Sequence, residues 1–484
     1  MRWNHDFLYE RIVAKDRSYD GRVLTGVVTT GIYCLPSCPA RKPRSENVRF
    51  FRDEPEAIAA GLRPCLRCHP ERFYRGEDWD RGLFEGLLTR LRAEPAAFDD
   101  VGALATACGV SGTKLTELAR THAHLSPAAL LRRERVLAAQ RRLLSTDERV
   151  LDVGFAVGFE SEASFHRRFL AQTGLSPGAW RALRESRGFL LQVPSGYRGE
   201  DVRAYHGRDA EGPAERLRGP TLHKALVLAG EPVLLTLDFR EEGVWCELHG
   251  GAGGRPAPET MAAAHEAAVR MLGLGSDAAG LEARAGRDAQ VARLVEGRHG
   301  LRVPLTALPF EALAWAIIGQ QINLSFATAL RRELILLAGS PVRGGEGMRA
   351  HPTAAQVAAL DPEALTSRRF SRSKAEYLLG AAHAVVEGTL PLETLASGSA
   401  PAAEQRLRAV RGVGPWTARY LLMRGLGFAD CVPVGDSGLS TGLQRFQGLA
   451  HRPDAKETEA LMAPFAPHRS LATCHLWAQL QEAS

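Results

Sequence analysis

Four cysteines near the start of the chain stand in two close pairs, Cys34-x3-Cys38 and Cys65-x2-Cys68, with 26 residues between the pairs. Two such pairs suit a tetrahedral zinc ion, because each pair supplies two thiolates from one turn and the intervening loop brings the pairs together. The N-terminus lacks a signal-peptide core, and in an intracellular chain a tight cysteine group favours a metal site over disulfides. Spacing alone leaves open whether the zinc ion only holds a small domain in shape.

The residues around these cysteines carry a family resemblance. The strings Gly31-Ile-Tyr-Cys-Leu-Pro-Ser-Cys and Arg63-Pro-Cys-Leu-Arg-Cys resemble the N-terminal domain of the Ada-type adaptive-response proteins. Proteins of that family move a methyl group from a DNA methylphosphotriester onto a zinc-bound cysteine, so the resemblance implies one Zn²⁺ that is both structural and activating. It makes Cys34 the methyl acceptor and Cys38, Cys65 and Cys68 the other ligands. Zinc would hold the sulfur as a thiolate, whereas a free thiol, with a pKa of about 8.5, is a poor nucleophile at neutral pH.

The charge near the cysteines suits a DNA partner. Residues 41–52 contain five basic side chains and one acid, Glu46, and we expect Arg41 and Arg44 to contact phosphates. The transfer would occur once only, since no residue here could remove the methyl group from Cys34. Methylation would turn one thiolate into a neutral thioether and remove a negative charge that faces the polyanion. We therefore expect DNA affinity to rise, so that damage becomes a transcriptional signal.

A pattern of helix, short glycine-containing turn and helix occurs twice, over residues 103–120 and 150–169. In the second copy Gly158 makes the turn, and apolar side chains mark the two helices, namely Leu151, Phe155, Val157, Phe159, Phe165 and Phe169. Both copies resemble the AraC-type DNA-binding domain, in which a long helix, here near residues 128–144, joins two helix-turn-helix units. The side chains expected to face DNA are Lys114, Ser161, Ser164, His166 and Arg167. The alternative is a helical spacer with no role in DNA binding.

A second chemical pattern lies near the C-terminus, in the string Arg411-Gly-Val-Gly-Pro-Trp-Thr-Ala418. It predicts a hairpin between helices, in which Gly412 and Gly414 permit positive φ and expose backbone amides that bind a phosphate at a helix N-terminus. Asp436 follows, in Val432-Pro-Val-Gly-Asp, just beyond the helix predicted over residues 416–424. Hairpin and acid together resemble the helix-hairpin-helix glycosylases of the AlkA type.

The resemblance makes Asp436 the residue that drives base excision. Cleavage of an N-glycosidic bond builds positive charge on the sugar, and a carboxylate beside it stabilises that charge and can orient or deprotonate a water molecule. Asp430 is the rival carboxylate, and we interpret it as structural. Where the best-known family pattern has two adjacent acids, this chain has Gly435-Asp436, so the resemblance assigns no role to the neighbouring position.

A pocket for a flipped base is also implied by the resemblance. Trp416 and Tyr420 share a helix face at i and i+4, and Trp477 lies in a third matching string, although any one of these aromatics could equally fill the core. In Ile318-Gly-Gln-Gln-Ile322, Gln320 is expected to contact the pocket and Gln321 to wedge into the duplex. The residues expected to bind DNA at the hairpin are Gly412, Gly414 and Thr417. The resemblance further allows a monovalent cation, held by hairpin carbonyls near Arg408 and Val413.

Length and composition bound the architecture. The chain has 484 residues, a net charge of +6 and 24% charged residues, which indicates several globular domains and permits a polyanionic partner. The strand-like stretches 225–228, 233–239 and 244–248 interrupt a mainly helical pattern. We predict a multidomain protein, mainly α with α+β parts. Its ranges are an Ada-type zinc α/β domain (1–80), an AraC-type double helix-turn-helix (84–186), an AlkA-type N-terminal mixed α/β domain (187–300) and an all-α helix-hairpin-helix glycosylase domain (301–484).

These features predict a DNA alkylation repair protein with the activity of a DNA-3-methyladenine glycosylase II and a suicidal methyl acceptor that activates transcription. The alternative is a DNA-binding transcription regulator whose glycosylase half senses lesions with weak activity. Expected partners are alkylated double-stranded DNA, promoter DNA and RNA polymerase. We expect a monomer in the bacterial cytoplasm, associated with the nucleoid, with no membrane span. The Pro-Cys-His-Arg string of an O6-methylguanine methyltransferase does not occur.

Overall fold

A computed structural model describes residues 4–76, 78–250 and 255–482. The chain divides into an N-terminal unit, Met1–Gly86, and a C-terminal unit, Leu87–Ser484, and each is described by itself. Within the described ranges, no helix combines the length and the apolar character needed to cross a membrane.

The N-terminal unit is a small sheet covered by short helices. Its strands run in the order β3-β1-β2-β4, with β2 and β4 parallel and the other pairs antiparallel. The core is small and is built on Leu24, Tyr33, Leu35, Phe51 and Ala57. The elements are α1 (His5–Val13), β1 (Leu24–Val27), β2 (Ile32–Cys34), β3 (Val48–Phe51), α2 (Glu54–Ala59), β4 (Arg63–Pro64) and α3 (Pro70–Tyr74), with 3-10 turns at Arg17–Tyr19 and Ser45–Asn47.

The next part of the chain is helical and contains both helix-turn-helix units. The helices are α4 (Trp79–Ala93), α5 (Val101–Cys108), α6 (Gly112–Ala123), α7 (Pro127–Ser145), α8 (Val150–Ala156), α9 (Glu162–Thr173) and α10 (Pro177–Ala182), with a 3-10 turn at Pro95–Ala97. The first unit is α5–α6, the second is α8–α9, and the long α7 joins them as predicted. A serine caps the start of α6 and of α9 through its hydroxyl, Ser111 for α6 and Ser161 for α9.

The second unit exposes one of its apolar residues. Phe165 and Phe169 are buried, but Phe155, one of the apolar residues that mark the first helix in the sequence, is 49% exposed. In α8 the inward positions are Val153 and, just past the helix end, Val157, four residues apart, which places Phe155 on the opposite side. Gly158 makes the turn with φ +96, and a Cβ there would lie 2.9 Å from the Arg135 side chain.

A five-stranded antiparallel sheet follows, in the order β5-β9-β8-β7-β6. The elements are β5 (Gly188–Leu191), α11 (Gly199–His206), β6 (Glu215–Arg218), β7 (Thr221–Leu228), β8 (Glu231–Arg240), β9 (Gly243–Gly250), α12 (Pro258–Met271), α13 (Ala278–Glu282) and α14 (Ala289–Val295). Strand β7 begins at Thr221, earlier than the predicted start at residue 225. The charged Lys224 interrupts the apolar pattern in the sequence, yet its side chain is buried, with its ammonium 2.7 Å from the carboxylates of Glu215 and Glu311. Side chains of this sheet and of α9 share one hydrophobic core.

The remaining chain is all helical and surrounds a separate core. Its helices are α15 (Pro309–Ile318), α16 (Leu324–Ala338), α17 (Ala354–Ala358), α18 (Pro362–Thr366), α19 (Arg372–Val386), α20 (Leu392–Leu395), α21 (Ala400–Arg408), α22 (Pro415–Arg424), α23 (Ser437–Gln447), α24 (Ala455–Met462) and α25 (Arg469–Glu482), with a 3-10 turn at Ala463–Phe465. The hairpin joins α21 to α22, and Asp436 caps the start of α23. The first turn of α22 and the start of α23 therefore lie side by side, and Trp416 donates to Asp436 across them.

Candidate functional site

The four cysteine sulfurs come together in the N-terminal unit. Their Sγ atoms lie within 4.8 Å of one another, and 4.0 Å separates those of Cys38 and Cys65. Zinc–sulfur bonds of about 2.3 Å in a tetrahedron place sulfurs about 3.8 Å apart, so the residues fit the metal. Backbone N–H groups of Leu35 and Arg67 donate to the sulfurs of Cys68 and Cys65 at 3.4 Å, which further suits thiolate ligands.

Exposure distinguishes the four sulfurs. Cys38 and Cys65 are buried, whereas Cys34 and Cys68 are partly exposed. Cys34 also lines a cavity of about 570 Å³ together with a set of basic side chains, Arg41, Lys42, Arg44, Arg63 and Arg67. Hydrogen bonding with Cys38, together with burial, raises the pKa of the Cys34 thiol above its ordinary value. A zinc ion held by the cluster would supply the positive charge that stabilises a thiolate at Cys34.

The loop that carries the first cysteine pair is held by two side chains that the ligand pattern does not reveal. The Asp20 carboxylate accepts the backbone N–H of Ser37 at 3.0 Å and its hydroxyl at 2.5 Å. The Lys42 ammonium donates to the carbonyls of Pro36 and Cys38 at 3.2 and 2.7 Å. Lys42 is thus turned toward the loop, whereas the arginines of residues 41–52 are exposed, namely Arg41, Arg44, Arg49 and Arg52.

The predicted DNA-facing side chains of the helix-turn-helix units lie at the N-cap and in the first two turns of α9 and in the first turn of α6. The Ser161 hydroxyl accepts the backbone N–H of Ser164 at 3.3 Å, so it serves as a helix cap. Arg167 is exposed, and His166 is partly exposed. Lys114 takes part in an ion pair of 3.3 Å within α6. Base or phosphate contacts by these residues stay predictions.

The hairpin matches prediction at one glycine and differs at the other. Gly412 has φ +87, and a Cβ there would lie 2.2 Å from the Tyr377 ring, so no larger residue fits without rearrangement. Gly414 has φ −83 and ψ 179, and the prediction of a positive φ there is wrong. Gly414 is the N-cap of α22 and needs an extended backbone, which leaves the amides of the first turn without helical partners.

Gln320 braces the hairpin. Its Nε2 donates to the Gly412 carbonyl at 2.8 Å and to the Thr417 hydroxyl at 2.9 Å. Thr417 is 2% exposed, so its side chain is not available to DNA, and only a backbone contact at Thr417 stays a prediction. Gln321 is exposed and has a left-handed φ of +57. Lys374 holds this turn by donating to the Gln320 carbonyl at 2.6 Å.

Asp436 lies at the mouth of an aromatic slot. Its Oδ2 accepts the indole N–H of Trp416 at 3.2 Å, and its Oδ1 accepts that of Trp477 at 3.1 Å. Oδ1 also accepts the backbone N–H of Leu439 at 2.8 Å. A carboxylate oxygen has two lone pairs, so Oδ2 can accept one further partner. Gly438 permits this approach, since a Cβ there would lie 3.2 Å from the Trp477 nitrogen.

The three predicted aromatics form the walls of this slot. The ring centroids of Trp416 and Tyr420 lie 5.5 Å apart, and those of Tyr420 and Trp477 lie 6.5 Å apart. Trp416 and Trp477 are partly exposed, whereas Tyr420 is buried deeper. Burial raises the pKa of Tyr420 above its ordinary value, so its hydroxyl stays a donor at neutral pH. At these separations the three rings contact one another directly, so they offer a joint aromatic surface on which a flipped base could stack.

Two arginines and a tyrosine that sequence reasoning missed close the slot. The Arg424 guanidinium lies 5.2 Å from the centroid of Trp477 and 4.5 Å from that of Tyr205 on α11. Arg208 lies 4.5 Å from the same Tyr205 ring. Tyr205 and Arg208 come from a strand-rich region in which no functional pattern is visible, and only folding brings them to Arg424 on α22.

Asp430 has a structural environment, as interpreted from the sequence. Arg469 donates to both of its carboxylate oxygens, each at 2.7 Å, and this pairing lowers the pKa of Asp430 against the opposing effect of burial. The Asp430 backbone N–H donates to Nδ1 of His124 at 3.0 Å. The charge of Asp430 is therefore balanced by an ion pair, whereas the partners of Asp436 are uncharged N–H groups.

Comparison with known proteins agrees with this arrangement. Residues 8–71 match the family model for the metal binding domain of Ada, residues 104–183 a helix-turn-helix domain, and residues 314–467 the HhH-GPD superfamily base excision DNA repair protein. The chain is 29% identical, over 98% of its length and 96% of the relative's, to the "Probable bifunctional transcriptional activator/DNA repair enzyme AlkA" of Mycobacterium tuberculosis. It is 34% identical, over 37% of its length and 59% of the relative's, to the DNA-3-methyladenine glycosylase of Bacillus subtilis.

A solved structure shares the fold. The 3-methyladenine DNA glycosylase from Archaeoglobus fulgidus superposes with a TM-score of 0.53 and 20% identity, over 61% of this chain and 99% of that one. At this identity the likeness shows the fold alone.

Proposed function

This chain joins an Ada-type metal-binding domain, an AraC-type helix-turn-helix domain and a helix-hairpin-helix glycosylase domain, and from that premise we propose that it is a DNA alkylation repair protein. It excises alkylated bases of the 3-methyladenine type, accepts a methyl group from DNA methylphosphotriesters on Cys34, and activates transcription of the alkylation response. The division of the chain at 1–80, 84–186, 187–300 and 301–484 is part of this proposal.

The observation that carries the glycosylase activity is the Asp436 carboxylate between two indole N–H groups at the mouth of the aromatic slot. The flipped base stacks on the aromatic surface beside Asp436, and the hairpin amides bind the DNA backbone. The C1′–N bond breaks and its electron pair leaves with the base. Asp436 stabilises the cationic sugar, a water oxygen bonds to C1′, and the released proton passes through the carboxylate to solvent.

The test is release of 3-methyladenine from methylated DNA by the full chain. We expect release by the wild type and its loss in Asp436→Asn. A regulator whose glycosylase half only senses lesions would bind methylated DNA equally well with and without the substitution, and neither form would release base at an appreciable rate. That result would favour the regulator.

The methyl-acceptor activity is supported by the position of Cys34 on a cavity lined by basic side chains. Zinc, when bound, supplies the positive charge that keeps the sulfur as a thiolate. The thiolate electron pair forms the S–CH₃ bond while the O–CH₃ bond breaks, and its electrons stay on the phosphate oxygen. The triester becomes a charged diester, and Cys34 becomes a thioether. The exposed Arg41 and Arg44 bind the neighbouring phosphates.

Mass spectrometry of the full chain after incubation with methylated DNA tests this step. We expect one added methyl group, of about 14 Da, on a peptide that contains Cys34. Methylation of Cys68 instead would overturn the assignment of Cys34 as the acceptor, and methylation of no cysteine would show that the cluster serves structure alone.

The rest of the proposal concerns partners and a second ion. Promoter DNA contacts through Arg167 and Lys114, recruitment of RNA polymerase, and a monomeric state belong to it. Gln321, exposed in a left-handed conformation, wedges into the duplex. A monovalent cation near the carbonyls of Arg408 and Val413 is also proposed, and flame-emission analysis of the purified protein bound to DNA would detect it.

A further inference from the structure

The C-terminal end of α6, the reading helix of the first helix-turn-helix unit, packs against the glycosylase helices rather than facing solvent. His122 is 2% exposed, and its Nδ1 lies 2.8 Å from the Ser399 hydroxyl. Ser399 caps α21 by accepting the backbone N–H of Ala402 at 3.3 Å. The helix that leads into the hairpin therefore begins at a contact with α6.

A second contact at the same end is made by His124, the residue that terminates α6. It has a left-handed backbone, with φ 56 and ψ 29, and its ring meets Phe428 edge-on at 5.4 Å between centroids. Its Nδ1 accepts the backbone N–H of Asp430 at 3.0 Å. An N–H group can donate only to a ring nitrogen that carries no proton, so His124 is neutral here with its hydrogen on Nε2.

The accepted N–H belongs to a short segment, residues 430–436, that ends at the catalytic carboxylate. On its other side this segment is held by α25, where the Ser470 hydroxyl accepts the backbone N–H of Cys431 at 3.0 Å. The same α25 carries Trp477, which donates to Asp436. The beginning of the segment is thus clamped between α25 and His124, and the clamp sets where the segment enters the site.

We propose that His124 is a positioning residue for base excision, through which the helix-turn-helix region holds the segment that carries Asp436. This role rests on the proposed glycosylase function. Helix α6 then has two roles. Its first turn, at Gly112, is exposed and can contact DNA, and His124 at its C-terminal end orders the segment that carries Asp436. The glycosylase geometry of this chain depends on a domain that takes no part in the chemistry.

The left-handed backbone of His124 makes a sharp set of variants available. Asparagine tolerates that conformation and places its Oδ1 where Nδ1 stands, so His124→Asn keeps the acceptor. Glycine keeps the conformation and removes the acceptor. Ala229→Gly is the matched control, because Ala229 is a second left-handed position, with φ 50, and is exposed in the turn between β7 and β8. If His124→Gly does not fold, His124→Leu fills the space beside Phe428 without an acceptor and replaces it.

Single-turnover release of 3-methyladenine by the full chain is measured over a range of enzyme concentrations, so that maximal rate and half-saturation separate. For His124→Gly we expect the maximal rate to fall about tenfold, the loss typical of a buried N–H without an acceptor, with half-saturation unchanged. His124→Asn should stay within about twofold of wild type. Equal rates for glycine, asparagine and wild type would overturn the positioning role, whereas an inactive wild type would overturn the glycosylase itself.

Discussion

The substitution Asp436→Asn tests the centre of the proposed chemistry at nearly constant shape. Both carboxylate oxygens accept an indole N–H, from Trp416 at 3.2 Å and from Trp477 at 3.1 Å. An asparagine has only one oxygen, so its NH₂ group must face one of these two donors. The change therefore removes the negative charge and also replaces one hydrogen bond by a contact between two donors.

The magnitude follows from the charge. A carboxylate about 4 Å from a cationic sugar carbon contributes about 4 kcal/mol at an effective dielectric constant of about 20. That energy corresponds to about a 10³-fold change in rate. The N-cap bond to Leu439 can survive, because the asparagine oxygen can take the position of Oδ1. We therefore expect a folded variant that binds DNA with unchanged affinity and releases base about 10³-fold more slowly.

The assay is single-turnover release of 3-methyladenine with enzyme in excess, with DNA affinity measured separately by fluorescence anisotropy. Asp454→Asn is the matched control, since Asp454 also caps a helix, α24, and is exposed away from the slot. It should leave the rate unchanged. If Asp436→Asn excises within about tenfold of wild type, electrostatic stabilisation by this carboxylate is refuted.

Four further predictions follow from the described contacts. Cys34→Ser should abolish methyl uptake from methylphosphotriester DNA, measured by mass spectrometry, and leave base release unchanged; a methylated variant would contradict the assignment of the acceptor. Removal of zinc by a chelator should unfold the N-terminal unit, because its core is small, while base release persists; circular dichroism and the release assay check both. Gly412→Ala should lower the free energy of unfolding by about 1–3 kcal/mol, because φ is +87 and the new Cβ would meet the Tyr377 ring. Gly414→Ala is the control, since a Cβ there meets open space, and it should change that free energy far less. Thermal unfolding of both variants measures the difference. Burial lowers the pKa of His265 to about 4 and that of His351 to about 3. As the pH falls below about 6.5, the unfolded chain protonates these histidines before the folded chain does, so the free energy of unfolding should decrease toward pH 4. A melting temperature that does not change between these pH values would contradict this prediction.

Much of the candidate site could be predicted because its residues are close together in the sequence. The four cysteines are close in sequence within each pair, and Trp416 and Tyr420 share a face of one helix, so local geometry brings them together. Asp436 and the hairpin are joined by a single helix, α22. Where only local backbone geometry decides the outcome, as at Gly412, residue type was sufficient. Gly414 shows the limit of such prediction. Glycine fits both an extended N-cap and a left-handed turn, so the residue type alone does not tell which conformation occurs.

Side chains that meet across long sequence separations could not be predicted. Tyr205 and Arg208 lie on and beside α11, in a region with no functional pattern, yet they pack with Arg424 at the slot. Gln320 and Thr417 were expected to contact base and DNA, but they bond to each other and to the hairpin. A residue in a family motif can contact the ligand itself or support the residue that does, and the motif reads the same in both cases.

The sequence by itself determined the order of the domains and the cysteine cluster, and it predicts the acid of the proposed glycosylase, because each depends on residue types at short spacing. Only the tertiary structure decided which partners each side chain takes, since burial and hydrogen bonding are properties of a packed neighbourhood. Asp430 and Asp436 are both aspartates a few residues apart. The fold pairs the Asp430 carboxylate with the Arg469 cation, whereas it gives the Asp436 carboxylate uncharged indole and backbone N–H partners beside the aromatic slot.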